Sequence, residues 1–396
     1  MRRKYFLFIC IVLAGLALTA CQGDDEPQTV KVVVSLPIGI EVGQDMLNGA
    51  QLALDQVDGQ AGDVSVELLV FDSSDPQGSP VSPELEREAA TQAVADEAVV
   101  AYLGAATSDQ AKASMPLLNQ ASIVQISPTA TWPGLTKPGY GPGEPGSYYP
   151  TGVRHFFRVA PSDEMQGAAG ARWASQLGVQ TVYIVHEDSA YGNGVAGIFE
   201  LTAQDVGIEI IASESFDTDA ASTEELASLA ASAVQAQPDM LYYGGGMAPR
   251  GSEFVSAARG LDPHLQMMGP DGLVQDQLID DVGADLVEGI YATNITVPAD
   301  QLASAAAFRV DYKAAFGKEP PPFAAGTYEA MQALLHAIEH AKKPTREGVL
   351  AAMVDLGEFS GILGDWHFDE RGDISITVIS GMQIQDGDWT FVQVVE

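Results

Sequence analysis

Over most of its length the sequence alternates between short β-branched runs and stretches with helical spacing. Residues 31–37 form an apolar, β-branched run, and residues 44–57 carry apolar side chains three and four positions apart. Further strands are predicted at 65–71, 99–104, 123–127, 181–187, 208–216, 239–245 and 265–270. Such alternation is typical of parallel sheets with helices on both faces. The sequence therefore predicts an α/β fold made of doubly wound, Rossmann-like units.

Two predicted strands end in glycine and lead into small residues that open a helix. Residues 101–108 read Ala-Tyr-Leu-Gly-Ala-Ala-Thr-Ser, and residues 241–246 read Leu-Tyr-Tyr-Gly-Gly-Gly. Ligands of parallel sheets bind beyond the carboxyl ends of strands, where helix N-termini offer free backbone N–H groups. Two lobes that face each other in this way would enclose a cleft. A Pro- and Gly-rich stretch at 132–152 is interpreted as a surface loop at the edge of the first lobe.

The first 20 residues have the pattern of a secretory signal peptide. Three basic residues precede an apolar run at 5–18, which is shorter than the roughly 20 residues of a membrane-spanning helix. The run ends in Leu-Thr-Ala-Cys, which resembles the lipobox of bacterial lipoproteins. We therefore predict lipidation of Cys21, a tether over 21–29 and an extracytoplasmic domain, in the periplasm or at the cell surface, that is anchored to the cell membrane by its lipid. An ordinary signal peptide that happens to end in cysteine is the alternative.

The charge balance limits the possible partners. The chain has 54 acidic and 19 basic side chains and a net charge of −35. Such a charge repels phosphate, which argues against nucleic acid or an anionic membrane surface as the main partner. The two cysteines are Cys10 and Cys21, so a chain cleaved before Cys21 forms no internal disulfide.

One glycine motif matches the dinucleotide-binding fingerprint. Gly192, Gly194 and Gly197 have GxGxxG spacing. In that fingerprint the first glycine turns directly off a strand, whereas here the predicted strand ends at residue 187. A nucleotide site is therefore not predicted.

A second motif has the spacing of an inverted zinc-protease signature. His336, Glu339 and His340 form HxxEH on a predicted helix. No third ligand from another element is evident, and histidines suit the C-terminal end of a helix dipole. The motif is interpreted as an exposed pair in the last turn. Because nucleophile motifs are also missing, we predict a protein that is not an enzyme and holds no cofactor or metal.

Several segments, in their order and spacing, resemble the leucine/isoleucine/valine-binding proteins, a periplasmic binding protein type 1 family that serves ABC importers. The segments lie at 43–55, 126–131, 191–194, 241–245 and 268–272. The resemblance implies the type 1 periplasmic binding fold, in which two hinged lobes enclose a ligand cleft. The expected bounds are 30–157 and 293–366 for lobe 1, and 158–292 and 367–396 for lobe 2.

The same resemblance implies where a ligand binds. Hydroxyls and backbone N–H groups of the first lobe would hold an α-carboxylate, and Asp271 of the second lobe would hold an ammonium, where the best-known members have glutamate. Aromatic groups would close over the ligand, with Trp132 beside its side chain. The implied ligand-binding residues are Thr107, Ser108, Thr129, Ala130, Thr131, Tyr191, Tyr243, Gly244 and Asp271.

Each assignment has a structural alternative. Thr129 and Thr131 could serve in a turn or as N-caps, and Asp271 could cap a helix. Tyr191 and Tyr243 could be core aromatic residues. The turn at 37–43 looks shorter than in the family, so side-chain specificity stays open. The loop at 137–152 is longer, and either shapes the cleft mouth or forms a docking face.

The sequence thus predicts a monomeric solute-binding component of an ABC importer. It would bind an amino acid, branched-chain or related, between lobes that close on it, and the permease subunits would be its protein partners. A sensory lipoprotein of the same fold is one alternative. A binder of an amide, urea or an aromatic acid is another.

Overall fold

The computed structural model describes residues 28–75, 81–246 and 249–395. The predicted signal peptide and Cys21 lie outside these residues. The strands are β1 (Thr29–Leu36), β2 (Gln60–Ala61), β3 (Val64–Asp72), β4 (Val99–Leu103), β5 (Val124–Ser127), β6 (Phe156–Arg158), β7 (Thr181–Glu187), β8 (Glu209–Phe216), β9 (Met240–Gly244), β10 (Met267–Gly269), β11 (Tyr291–Asn294), β12 (Phe359–Gly361), β13 (Gly364–Trp366), β14 (Ile379–Gln385) and β15 (Asp388–Val395). The helices are α1 (Glu41–Asp55), α2 (Pro83–Ala95), α3 (Ser108–Gln120), α4 (Asp163–Gln176), α5 (Ala190–Asp205), α6 (Thr223–Gln235), α7 (Pro249–Leu261), α8 (Asp276–Val282), α9 (Ala284–Val287), α10 (Ala306–Phe316), α11 (Pro322–His340) and α12 (Arg346–Val354).

The first sheet has the strand order β2-β3-β1-β4-β5-β6. All its strands run parallel except the short edge strand β2. Along β1, Val32 and Val34 pack into a core with α1, α11 and α12, whereas Val33 packs into a second core with α2 and α3. Alternate side chains of one strand thus face two helical layers, which is the doubly wound arrangement that the sequence predicts.

The second sheet has the order β15-β14-β11-β10-β9-β7-β8. Its β7 to β11 strands are parallel. Tyr242 and Tyr243, neighbours in β9, pack into opposite cores, the first with α4 and α5 and the second with α6 and α7. At one edge, β14 and β15 are antiparallel, a feature that the sequence reasoning does not predict. The α/β class and the two-sheet architecture are confirmed.

Two helices begin at the carboxyl ends of central strands. Thr107 precedes α3, and its hydroxyl accepts from the Gln110 N–H at 3.4 Å. Ser189 precedes α5, and its hydroxyl accepts from the Gly192 N–H at 2.9 Å. Such caps satisfy one of the free N–H groups of a first helical turn. Each cap follows a parallel strand, β4 or β7, and so lies at the edge of the sheet where ligands bind.

The chain passes between the two sheets three times. It leaves the first sheet after β6, returns after β11 to add α10, α11 and α12 to the first core, and ends in β14 and β15 of the second sheet. Near the last crossover, Phe368 and Ile374 pack against the first core. The predicted lobe bounds stay predictions. Among the described residues, no helix is long and apolar enough to cross a membrane.

Candidate ligand-binding site

A cavity of about 590 Å³ lies between the two lobes at the carboxyl ends of their strands. Its volume is within the range of small-molecule sites. The first lobe contributes the start of α3 and the segment after β5, and the second contributes the end of β7 and the start of α5. Five residues predicted to bind ligand line this cavity: Thr107, Ser108, Thr129, Tyr191 and Asp271.

Two of the predicted first-lobe residues lie behind the cavity wall. Ala130 is fully buried, and its N–H donates to the Ser127 hydroxyl at 2.9 Å. Thr131 is also fully buried, and its backbone carbonyl accepts from the Asp163 N–H at 3.0 Å. Neither residue lines the cavity. The structure therefore does not bring them together with Thr107 and Ser108 at the cleft surface.

The hydroxyls of the first-lobe wall already make bonds within the lobe. Thr129 Oγ1 donates to the Ala106 carbonyl at 2.6 Å, and Ser108 Oγ accepts from the Trp132 N–H at 3.0 Å. These bonds fix the segment after β5 against the start of α3. The first N–H groups of a helix lack intrahelical acceptors and carry partial positive charge. The first turn of α3 therefore presents dipoles that suit an anion, and the charged side chains of Asp109, Lys112 and Glu144 line the same wall.

The second-lobe wall contains a buried carboxylate. Asp271 is 3% exposed, and its Oδ1 accepts from Gln166 Nε2 at 2.8 Å and from the Tyr191 hydroxyl at 2.7 Å. The Tyr191 oxygen in turn accepts from the Gly272 N–H at 3.1 Å. Burial raises the pKa of Asp271, and the bonds from Tyr191 and Gln166 oppose this shift. The network fixes one carboxylate oxygen and places the residue on the cavity wall.

Tyr243 and Gly244 do not line the cavity either. Tyr243 is fully buried, and its hydroxyl donates to Glu187 Oε1 at 2.9 Å. A Cβ on Gly244 would lie 2.8 Å from the Cβ of Ala196, so this glycine allows α5 to pack closely on β9. Any effect of Tyr243 on a ligand would pass through Glu187.

Glu187 is a cavity residue that sequence reasoning missed. It ends β7, is 6% exposed and accepts from the Gly246 N–H at 3.1 Å as well as from Tyr243. Burial raises the pKa of its carboxyl. An acidic residue at the end of a strand is the only signal in the sequence, and its partners lie 56 and 59 positions away.

Asp163 is a second missed acid, at the start of α4 behind the cavity. It is fully buried, and neither of its carboxyl oxygens makes a hydrogen bond within the described residues. Burial raises the pKa of Asp163 to about 8, and the neighbouring Asp271 adds to this rise. At neutral pH this carboxyl is therefore mostly protonated, which limits the charge beside Asp271.

The long loop after β5 shapes the mouth of the cavity. Tyr140 and Glu144 line the cavity together with Trp132. Trp132 Nε1 donates to Glu144 at 2.9 Å, and the Lys112 ammonium lies 4.8 Å from the centre of the tryptophan ring. The same Glu144 accepts from the Tyr148 hydroxyl at 2.5 Å. Of the two roles left open for the loop, its lining residues fit the first, at the cleft mouth.

A hydrogen bond crosses the cleft between the two capped helices. Asp109, in the first turn of α3, accepts with Oδ2 from the Ala190 N–H at 2.8 Å. Ala190 is the first residue of α5, where a carboxylate is favoured by the helix dipole. The contact holds the lobes together at one edge of the cavity.

The GxGxxG glycines lie inside α5, not in a turn directly after β7. Gly194 has a packing role, because a Cβ there would lie 2.5 Å from Asp163 Oδ2 and 2.7 Å from the Trp132 ring. This close approach of α5 to Trp132 explains the glycine without a nucleotide.

The sequence matches the family described as "Periplasmic binding protein" over residues 35–388. This chain belongs to that family. It is 26% identical over 377 residues to the leucine-, isoleucine-, valine-, threonine- and alanine-binding protein of Pseudomonas aeruginosa, covering 93% of this chain and 92% of the relative. It is 24% identical over 398 residues to the Leu/Ile/Val/Thr-binding protein of Salmonella typhimurium, covering 98% of this chain and 97% of the relative.

Solved structures of periplasmic binding proteins have the same fold. The leucine-binding protein LivK of Thermotoga maritima has a TM-score of 0.79 and 26% identity, covering 93% of this chain and 99% of that chain. A solute-binding protein of an ABC transporter from R. palustris, in complex with benzoate, has a TM-score of 0.77 at 18% identity, covering 92% and 96%. The resemblance to the leucine/isoleucine/valine-binding proteins is confirmed, as is the fold it implies. The family is one of binding proteins rather than enzymes.

Proposed function

We propose that this protein is the extracytoplasmic solute-binding component of an ABC importer and that its cleft binds an amino acid, branched-chain or related. One observation carries the proposal. The cavity has a helix N-terminus with hydroxyl side chains on the first lobe and a buried carboxylate, Asp271, on the second. An α-amino acid carries its ammonium and its carboxylate on the same carbon atom, so it can satisfy both walls at once.

The carboxylate end of the ligand would bind at the first turn of α3. Thr107, Ser108 and Thr129 line the wall there. Hydrogen bonds to a carboxylate are strong in a site shielded from water, and the helix dipole adds to them. No cation of the protein is required at this end.

The ammonium end would bind at Asp271. Tyr191 and Gln166 hold one oxygen of this carboxylate, so the group is oriented before the ligand arrives. A cation beside Asp271 would favour its charged form and lower the pKa that burial has raised. Binding would then replace an isolated buried charge by an ion pair.

Closure of the lobes would couple binding to transport. Contacts from both walls exist together only when the cleft is shut, so the ligand shifts the equilibrium towards the closed form. The permease subunits would recognise that form. The predicted lipid on Cys21 would keep the domain at the membrane surface without contact between lipid and the folded body.

The proposal is tested first by a thermal-shift screen of the twenty amino acids, amides and small carboxylates. A ligand at 100 times its dissociation constant adds about 2.7 kcal/mol to stability. The best amino acid is then compared, by calorimetry, with two analogues that lack either the ammonium or the carboxylate.

We expect each analogue to bind at least about thirtyfold more weakly than the amino acid. An analogue without ammonium that binds equally well would contradict the proposed role of Asp271 and favour an aromatic or other acid as the solute. A flat response to every amino acid would contradict the proposed ligand class.

A further inference from the structure

The HxxEH motif places three metal-ligating side chains on one face of α11. His336, Glu339 and His340 occupy positions i, i+3 and i+4 in the last turns of this helix. One candidate ligand atom from each lies within 4.8 Å of the other two. The prediction of an exposed histidine pair in the last turn is correct for His340, whereas His336 is half-buried.

The hydrogen bond of His340 leaves its outer nitrogen available to a metal. Its Nδ1 lies 2.9 Å from the backbone carbonyl oxygen of His336. Because a carbonyl can only accept, Nδ1 carries the proton and Nε2 has a free lone pair when the ring is neutral. Metal-ligating histidines in proteins commonly have this bond from the other ring nitrogen to a carbonyl, which fixes the tautomer and the ring orientation.

The other imidazole is held close to the first. The rings of His336 and His340 stack with their centres 4.0 Å apart, and Phe359 packs edge-on against His336 at 5.7 Å. Burial lowers the pKa of His336, and the neighbouring His340 lowers it further. The contacts with His340 and Phe359 hold the His336 ring in one orientation beside the second imidazole.

The motif lies far from the cleft. A Cβ on Gly62 would lie 3.1 Å from Glu339 Cγ, which places this glutamate against the turn between β2 and β3. That turn precedes β3 and is at the amino ends of the strands, whereas the cavity is at their carboxyl ends. An ion bound here would not contact a ligand in the cleft.

We propose that His336, Glu339 and His340 form a binding site for a divalent transition-metal ion, with zinc as the best match. Two imidazoles and a carboxylate suit zinc, nickel and copper, whereas magnesium and calcium prefer oxygen ligands. Three protein ligands leave a fourth, open position for water. In a tetrahedral zinc site the ligand atoms lie about 3.3 Å apart. The candidate atoms here lie within 4.8 Å of one another, so the exposed Glu339 side chain would have to rotate towards the imidazoles to close around an ion.

The test is calorimetry of the purified, tag-free protein with zinc chloride, and with magnesium chloride as the reference ion. We expect one equivalent of zinc to bind and magnesium not to bind. His340→Ala should weaken zinc binding by about tenfold or more, and Glu339→Gln should weaken it less. Both residues are exposed, so circular dichroism in the presence of EDTA should show a wild-type fold.

His367→Ala is the matched control. His367 is an exposed histidine whose Nδ1 lies 3.0 Å from a Glu358 carboxylate oxygen, with no second imidazole among its contacts in the described part of the chain. We expect this variant to bind zinc like the wild type. The proposal is overturned if the wild type does not bind zinc, if His340→Ala binds as tightly as the wild type, or if His367→Ala loses as much affinity as His340→Ala.

Discussion

The two walls of the cleft use their polar groups differently. On the first lobe, the hydroxyls of Ser108 and Thr129 are engaged with the backbone of their own lobe, and a ligand would meet many weak dipoles. On the second lobe, a few buried carboxyls dominate, and Asp271 is the one placed by two side-chain donors. Loss of a single hydroxyl on the first wall should therefore cost little ligand affinity, whereas loss of the Asp271 carboxylate on the second should cost much.

The largest effect is expected from Asp271→Ala. Removal of the carboxylate leaves the ligand ammonium buried without a partner, so amino-acid binding should weaken by about 2 kcal/mol or more. Calorimetry measures this loss. Asp280→Ala, which removes an exposed acid of the same lobe, should leave the affinity unchanged, and an unchanged affinity in Asp271→Ala would remove this residue from the site.

Asp163→Asn should change the pH dependence of stability. Burial raises the pKa of Asp163 to about 8 in the folded protein, from about 3.9 in an unfolded chain. The folded state therefore holds this proton more tightly, and the contribution of Asp163 to stability falls as the pH rises through this window. The asparagine variant does not titrate and should therefore be more stable than the wild type at pH 8.

Urea unfolding at several pH values checks this prediction. The difference between wild type and Asp163→Asn should shrink towards acid pH. Asp205→Asn alters an exposed acid and should follow the wild-type curve. Parallel curves for wild type and Asp163→Asn would show that Asp163 is already ionised in the folded protein.

Asp109→Ala should affect closure more than folding. It removes the bond from Ala190 N–H that crosses the cleft, so ligand affinity should fall by about 1.5 kcal/mol, or about tenfold. Small-angle X-ray scattering should show a more open ligand-free protein. Asp188→Ala removes a cleft carboxylate whose side-chain bond within the described part of the chain is to Asn193 of its own lobe. The same opening in this variant would show that the loss of negative charge, and not the loss of the bond to Ala190, opens the cleft.

The smallest effect is expected from Thr107→Ala on the first wall. Loss of the α3 cap should lower the free energy of unfolding by about 1 kcal/mol. It should weaken ligand binding by less than Asp271→Ala does. Ser222→Ala removes the equivalent cap of α6, where the hydroxyl accepts from the Glu225 N–H at 3.2 Å. It should lose similar stability with no change in affinity. Equal affinity losses in Thr107→Ala and Asp271→Ala would contradict the expectation that single side chains contribute less to ligand binding on the first wall than on the second.

The sequence predicts most of the fold because most of its parallel strands are short apolar runs separated by stretches with helical spacing. The antiparallel β14 and β15 were missed, since β15 is a mostly exposed or half-buried strand at a sheet edge and follows no helix. Within the site, the residues implied at helix starts, Thr107, Ser108 and Tyr191, line the cavity.

The errors in the predicted site arise because the sequence does not show which side chains the fold buries. Thr131 precedes the cavity residue Trp132 in sequence, but the backbone turns its side chain into the interior, because neighbouring residues point to opposite faces. Tyr243 lies in β9 and packs into the core with α6 and α7. Glu187 and Asp163 were missed because they differ from the many other acidic residues of the chain in being buried, and residue type alone does not show this. Burial depends on contacts between α4, α5 and β9 that one sequence does not reveal.

The return of the chain to its first core sets an order for folding during synthesis. Helix α1 packs against α11 so closely that a Cβ on Gly49 would lie 2.2 Å from the Ala324 carbonyl oxygen. Helix α11 begins roughly 270 residues after α1 ends, which takes a ribosome roughly 15 to 50 seconds to synthesise. Throughout that interval the apolar face of α1 has no α11 to cover it, so the N-terminal lobe remains incomplete until nearly all of the chain has been made.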